Sequence, residues 1–328
     1  MTNELKPLIS IVTINCNQLE VTCEFLESTK KLLYPNYEII LVDNASDEDP
    51  SEIIQSKFPQ VKIIRSPTNL GFSGGNNVGI VSASGDFYFI VNNDTEVTPT
   101  LLDNLIEPFF SDDSIGIVCP KIRYFSHPNI IQYAGYTKIN PYTGRNRPYG
   151  FKQEDHGQFD VPAFTPYAHG AAMLVKRKAV NEVGLLPEVF FIYYEELDWS
   201  TQVRKAGYTI FYQPTALIFH KESMTMGKES LRKTFYQNRN RVLFMKRNST
   251  GFQFFCFTLF VLVGVVPVKT FQYISRRQFK HAAVFFKALA WNFKPKRLWS
   301  FDQQKKSING YNKFFSNWRS WLYRISRS

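Results

Sequence analysis

Residues 8–17 read LISIVTINCN and residues 37–46 read YEIILVDNAS. Each is a short, β-branched apolar run that stops at polar residues, Asn15 and Asn17 in the first and Asp43-Asn44 in the second. Outward from these, residues 61–65 (VKIIR) and 86–91 (DFYFIV) read as two more strands. Between the strands, residues 18–33 carry Leu19, Cys23, Leu26 and Leu33 near helical spacing. Residues 50–58 suit a short helix, and residues 75–82 a helix opened by glycines. Strands alternating with helices predict βαβ units and an α/β fold with a mostly parallel central sheet. In such sheets ligands sit beyond the carboxyl ends of the strands. The polar strand ends, Asn15, Asn17, Asp43-Asn44 and Asn92-Asn93-Asp94, are therefore the first place to look for a site. Residues 120–165, rich in Tyr, Pro, Asn and Gly, read as irregular loops with short strands. Residues 208–213 and 216–219 read as the last two strands.

The net charge of +11 hides an asymmetry. Residues 1–220 carry 17 Lys+Arg and 25 Asp+Glu, a net of −8; residues 221–328 carry 22 and 3, a net of +19. A strongly basic tail on an acidic body predicts a polyanion or an anionic lipid surface as partner. Cys16, Cys23, Cys119 and Cys256 form no CxxC pair, which suits a reducing compartment. No basic n-region precedes residues 8–14, so no signal peptide is expected and the body is read as cytosolic.

Five features carry candidate chemistry. Asp43 at a strand end can accept from a nucleobase or ribose, or close an Asx-turn. Residues 69–77 (NLGFSGGNN) can bring backbone close to a ligand and offer helix N–H groups to an anion, or form a glycine-rich turn. Asp94 can hold Mg²⁺ or Mn²⁺ while a diphosphate completes the shell, or cap a turn. Residues 190–199 (FFIYYEELDW) place Glu195, Glu196 and Asp198 among aromatics. Apolar surroundings and neighbouring acids raise a carboxyl pKa toward that of a general base. The same acids suit the first turn of a helix running to about residue 206. His220, ending the last strand, is a candidate second metal ligand.

In order, VTINCN, LVDNAS, NLGFSGGNN, NND, HGAAML, YYEELDW with Arg204 and Gly207, and then His220 resemble glycosyltransferase family 2, most of all its rhamnosyltransferase-like members. The likeness is collinear over about residues 8–241. It implies a GT-A nucleotide-binding fold and a metal-dependent, inverting hexosyltransferase. It also implies a nucleoside-diphosphate sugar donor, dTDP-rhamnose or a UDP-sugar. By position, Thr13, Asn15, Asp43, Asn69, Gly71, Gly75, Asn76 and Asn93 would bind the donor. Asp94 and His220 would hold the divalent cation. Glu196 would be the base, with Glu195 beside it and Asp198 as competitor. His169, Gly170 and Trp199 would lie on the acceptor side. Two departures stand out: Asn92 replaces the first acid of the DxD motif, which weakens the expected metal site, and Glu195-Glu196 replaces the usual ED pair.

Residues 254–268 (FFCFTLFVLVGVVPV) are uncharged but short of the roughly 20 residues of a spanning helix. Basic residues flank both ends, Arg239, Arg241, Lys246 and Arg247 before and Lys269, Arg276, Arg277 and Lys280 after. A simple crossing would break the positive-inside rule on one side. A re-entrant or in-plane anchor at an anionic bilayer is expected, continuing through Phe285-Phe286-Lys287, Trp291, residues 294–297, Trp299 and residues 318–324. The alternatives are a single spanning helix or a buried core helix. The expected organisation is a GT-A domain over residues 1–240 and a helical, membrane-associating region over 241–328. It would work on the cytoplasmic face of the cell membrane on a lipid-linked or cell-surface glycan acceptor. A nucleic-acid partner is not expected, since no such motif accompanies the basic tail. The competing function is a non-catalytic sugar-nucleotide-binding or membrane scaffold protein on the same fold.

Overall fold

The computed structural model describes residues 6–221 and 230–293. The expected tail segments 294–297, Trp299 and 318–324 lie outside the described residues. The N-terminal half runs β1 (Ile9–Asn15), α1 (Leu19–Thr29), β2 (Tyr37–Asn44), α2 (Ser51–Lys57), β3 (Val61–Ser66), α3 (Gly71–Val81) and β4 (Phe87–Val91). There follow β5 (Thr95–Val97), α4 (Leu101–Ile106), α5 (Pro108–Ser111), β6 (Ile115–Tyr124), β7 (His127–Tyr133), β8 (Ala163–Phe164), β9 (Ala172–Lys176), α6 (Arg177–Val183), α7 (Glu195–Lys205) and β10 (Thr209–His220). The chain continues through α8 (Leu231–Asn248), α9 (Gly251–Phe260), α10 (Val266–Ser275) and α11 (Phe279–Trp291).

All ten strands join one sheet in the order β3-β2-β1-β4-β9-β6-β10-β5, with β7 on β6 and β8 on β10. The expected parallel sheet holds over β3-β2-β1-β4. Beyond β4 the sheet is mixed: β9 runs antiparallel to β4 and β6, β10 parallel to β6, and β5 antiparallel to β10. The runs at 208–213 and 216–219 are one strand, β10, whose ladder shifts between Gln213 and Leu217. Pro214 lies in that interval and has no N–H to give the ladder. Within residues 120–165, expected as loops with short strands, β7 pairs with the end of β6 and β8 with β10.

Strands β1, β2 and β4 read as unbroken apolar runs because both their faces are covered. Helix α3 lies close on β1: a Cβ at Gly79 would stand 2.3 Å from Val12, and one at Gly75 2.8 Å from Ile14. A second core joins body and tail. Phe190 and Leu197 of the body pack with Leu243, Phe244, Phe257, Val261, Val265 and Phe285. The boundary expected between residues 240 and 241 therefore falls inside the unbroken helix α8, at a point where the tail is part of the body's packing.

Helices α9 and α10 run on through a π-turn (Val261–Val265) into a continuous helix, Gly251–Ser275, long and apolar enough to cross a membrane by length and composition. The wider turn precedes Pro267, whose ring and missing N–H would strain a regular helix. Phe257, Val261 and Val265 form its buried stripe, while Phe255 and Phe271 are 65% and 73% exposed.

Candidate active site

A cleft of about 800 Å³ opens at the carboxyl ends of β1, β2 and β4. Its floor carries Asn44, Asn69, Asn76, Asn92, Asn93 and Asp94, and its other side comes from α8 and α11. The cleft lies where the strand-end rule points, and α11, from the region expected to associate with a membrane, supplies part of one wall.

Asp94 and His220, 126 residues apart, meet with Nε2 3.1 Å from Oδ1. His220 Nδ1 lies 2.8 Å from Gln132 Oε1, which fixes the ring. Burial acts to raise the Asp94 carboxyl, but hydrogen bonding and charge from His220 outweigh it and hold the carboxyl below its ordinary value. One ionised carboxylate and one imidazole at the cleft floor form a donor set that fits a hard divalent cation with substrate oxygens completing the shell. Among the described residues no group of three or more acidic, His or Cys ligands occurs.

The donor-side residues fall into two sets. Asn69, Gly71, Asn76 and Asn93 line the cleft. Thr13, Asn15, Asp43 and Gly75 lie behind it, buried. Asp43 accepts from Asn15 Nδ2 (2.8 Å) and Ser46 Oγ (2.5 Å) and lies 3.4 Å from Arg65 Nε. Ser46 N also donates to Asp43, which closes an Asx-type turn. Asn15 Oδ1 accepts from Thr22 Oγ1 and from the backbone of Gln18. These two residues brace the β1 and β2 ends, and the Thr13 hydroxyl is buried with no partner.

The glycine-rich segment serves the backbone of its neighbours rather than an anion. The N–H groups that open α3 are already taken: Leu70 donates to Asn44 Oδ1, Gly71 to Asn69 Oδ1, and both Phe72 and Ser73 to the carbonyl of Phe191. Gly71 adopts φ +71°, and a Cβ there would come within 2.4 Å of that carbonyl. Gly75 is buried and packs against Ile14, so its small size serves the α3–β1 contact.

The acidic cluster opens α7 behind a strained loop. Phe191, Tyr193 and Tyr194 all have positive φ, at 67°, 69° and 76°. Such residues persist only where surrounding structure holds them. Asn240 of α8 does so, donating to the carbonyls of Phe190, Ile192 and Tyr193 at 2.9, 2.8 and 2.7 Å. Arg239 donates to Val189 and Phe190. The three acids then separate by environment. Asp198 is fully buried and tied to Arg247 and Asn248. Glu195 and Glu196 each keep a buried Oε2 with no hydrogen-bond partner. Burial pushes Glu196 up to about 7. Burial and the charge of Glu196 hold Glu195 well above the carboxylate range.

On the expected acceptor side, Gly170 abuts Glu196: a Cβ there would lie 3.9 Å from Glu196 Cδ and 3.7 Å from Phe72 Cζ. His169 accepts from Ala171 N at Nδ1, leaving its proton on Nε2, and stacks on Tyr136. Burial, then the nearby charge of His220, push His169 down to about 3, so it stays neutral. Trp199 is completely buried, with its indole donating to Gly184 O; it is a core residue, not part of the acceptor side.

The tail residues divide in the same way. Phe285 is fully buried, Arg239 lies 4.6 Å over the Trp291 ring, and Arg241 donates to Thr143 O. These were expected at a bilayer and instead bind the tail to the body. Arg232 and Lys287 line the cleft and were missed as site residues. Arg232, Tyr236 and Arg239 recur at i, i+4 and i+7, a spacing that puts them on one helix face.

Comparison with known proteins agrees with this geometry. Residues 10–184 match the model of glycosyl transferase family 2. The chain is 27% identical to an uncharacterized protein of Sinorhizobium fredii over 74% of its own length but only 27% of that protein's. It is 23% identical to N-acetylglucosaminyl-diphospho-decaprenol L-rhamnosyltransferase of Mycobacterium tuberculosis, over 65% of this chain and 76% of that one. Among solved structures, GalNAc-T7 with UDP, GalNAc and Mn²⁺ superposes with a TM-score of 0.58 at 18% identity, covering 74% of this chain and 48% of that one. A mannosyltransferase of Pyrobaculum calidifontis in complex with GDP-Man and Mn²⁺ gives 0.55 at 14% identity, covering 97% and 84%. The fold is GT-A, and the chain belongs to glycosyl transferase family 2.

Proposed function

We propose that the chain is an inverting, divalent-cation-dependent hexosyltransferase. It moves a sugar, rhamnose foremost, from dTDP-rhamnose or a UDP-sugar to a hydroxyl of a lipid-linked or cell-surface glycan. The observation that carries this reading is the pair Glu195 and Glu196, each with a buried Oε2 that has no hydrogen-bond partner, opening α7 behind a strained loop with Glu196 against Gly170. With its carboxyl near 7, Glu196 is poised to take the acceptor's proton at neutral pH. Burial and the charge of Glu196 raise the Glu195 carboxyl as well. The acceptor oxygen then attacks the anomeric carbon opposite the leaving diphosphate, which inverts the configuration. Asp94 and His220 would hold Mg²⁺ or Mn²⁺, which when bound neutralises charge developing on the diphosphate. The amides of Asn44, Asn69, Asn76 and Asn93 line the nucleotide's side of the cleft. Rhamnose and a lipid diphosphate acceptor are supported by the name of the mycobacterial relative.

The place of action is the cytoplasmic face of a membrane. Helix Gly251–Ser275 keeps one stripe, Phe257, Val261 and Val265, packed with the body's Phe190 and Leu197, so it runs alongside the body. Its opposite face is apolar and flanked by Arg276, Arg277 and Lys280. That pattern favours an in-plane anchor on anionic lipid.

The test is calorimetry with UDP-, dTDP- and GDP-sugars, with and without Mn²⁺, on wild type and Asp94→Ala. Metal-dependent binding of one nucleotide class, weakened by the substitution, is the expected result. Absence of nucleotide binding under every condition overturns the reading.

A further inference from the structure

The two sides of the cleft differ in charge. The strand ends supply amides and one acid, Asp94, which is already engaged with His220. The α8 and α11 side supplies two cations, Arg232 and Lys287, set among Phe235, Tyr236 and Val284. Three other cations of α8 are committed elsewhere: Arg239 to Val189 and Phe190, Arg241 to Thr143, and Arg247 to Asp198. Among the described residues, Arg232 and Lys287 have no such partner. Arg232 also acts across the cleft: burial and the charges of Asp43 and Asp47 raise the Cys16 thiol, and Arg232 opposes them. Cys16 follows the end of β1, beside Asn69 of the cleft floor. Positive charge on one wall, facing the amide-lined strand ends on the other, calls for an anion between them.

We propose that Arg232 and Lys287 are the cleft's diphosphate-binding pair. An arginine fork can grip two phosphate oxygens, and a lysine adds a mobile point charge. Two substrates of a transferase can present that group, a nucleoside diphosphate sugar or a diphosphate-linked lipid acceptor. The assignment rests on the nucleotide-sugar reading above. It makes the C-terminal helices part of the active site as well as the anchor.

The test uses the full chain in detergent, as wild type, Arg232→Gln, Lys287→Gln, the double variant and Arg232→Lys. Calorimetry is run with UDP against UMP, and with geranylgeranyl diphosphate against geranylgeranyl monophosphate. Both side chains are exposed, so the fold should survive, and a thermal melt confirms it. The expected result is about 10-fold weaker diphosphate binding per cation removed, with a smaller loss for the monophosphate and partial recovery in Arg232→Lys. Loss confined to UDP assigns the pair to the donor, and loss confined to the prenyl ligand assigns it to the acceptor. A wild-type chain that binds UDP, with variants that bind both diphosphates equally well, overturns this pair alone. A wild-type chain that binds no nucleotide overturns the donor reading beneath it, and one that also binds no prenyl diphosphate overturns the pair with it.

Discussion

Arg247 holds Asp198 in a two-point ion pair, Nε to Oδ1 and Nη2 to Oδ2, each at 3.0 Å. Asn248 adds a third contact at 2.6 Å. A carboxylate so occupied is a structural tie between α7 and α8. Removing one partner of a buried pair leaves an uncompensated charge, at a cost of about 3–5 kcal/mol. Arg247→Ala should therefore lower the melting temperature sharply. Turnover per folded molecule should change far less, as measured by activity normalised to a folded-fraction assay.

Glu196→Gln should behave in the opposite way. Loss of a general base costs about 10²–10⁴-fold in kcat. Nucleotide binding should be retained, since the amides of the cleft floor are untouched. Near-normal turnover in Glu196→Gln would send the base role to Glu195.

The pH dependence follows from the same residue. Its carboxyl must be ionised to accept a proton, so kcat should fall as pH drops below about 7. Stability runs the other way. A folded-state pKa raised by burial stabilises the fold at low pH, and that contribution is lost as pH rises through about 7. Glu196→Gln should then flatten both profiles, and its melting temperature at pH 8 should exceed that of wild type.

Asn240 donates to three carbonyls of the strained loop that presents the glutamates. Asn240→Ala leaves buried acceptors unmet, at about 1–3 kcal/mol each. The expected phenotype is a large loss of kcat with a milder loss of nucleotide affinity. Equal losses in both would mean that the loop is not specifically tied to the base.

Phe255 and Phe271 lie on the exposed face of α9 and α10. Burying a phenylalanine in an apolar medium is worth about 1.5–3 kcal/mol. The double change to glutamate should weaken co-sedimentation with anionic vesicles at least 10-fold, while UDP binding in detergent stays unchanged.

The strand ends were legible because period and burial are local signals: β1, β2 and β4 announce themselves as apolar runs ending in Asn and Asp. Asp94 and His220 were legible as candidate metal ligands from their strand-end positions and from the family likeness, whereas their direct contact, across 126 residues, was not. What escaped was set by tertiary packing. Nothing in FFIYYEE signals that three non-glycine residues take positive φ, since the clamp that forces them comes from α8. The glycines of residues 69–77 read as a ligand cradle or as a glycine-rich turn. The distances from Gly71 to Phe191 and from Gly75 to Ile14 show close packing instead. In the tail, composition could not divide cations facing lipid from Arg239 and Arg241, which turn inward, or from Arg232 and Lys287 at the cleft.

The unbroken run of α8 through the body's second core has a practical corollary. Cutting the chain where its charge changes sign would remove Asn240, Arg247 and a wall of the cleft along with the greasy surface. A water-soluble form for crystallisation or screening is better reached by repainting the outer face of Gly251–Ser275 with polar side chains. Phe257, Val261 and Val265 should stay as they are.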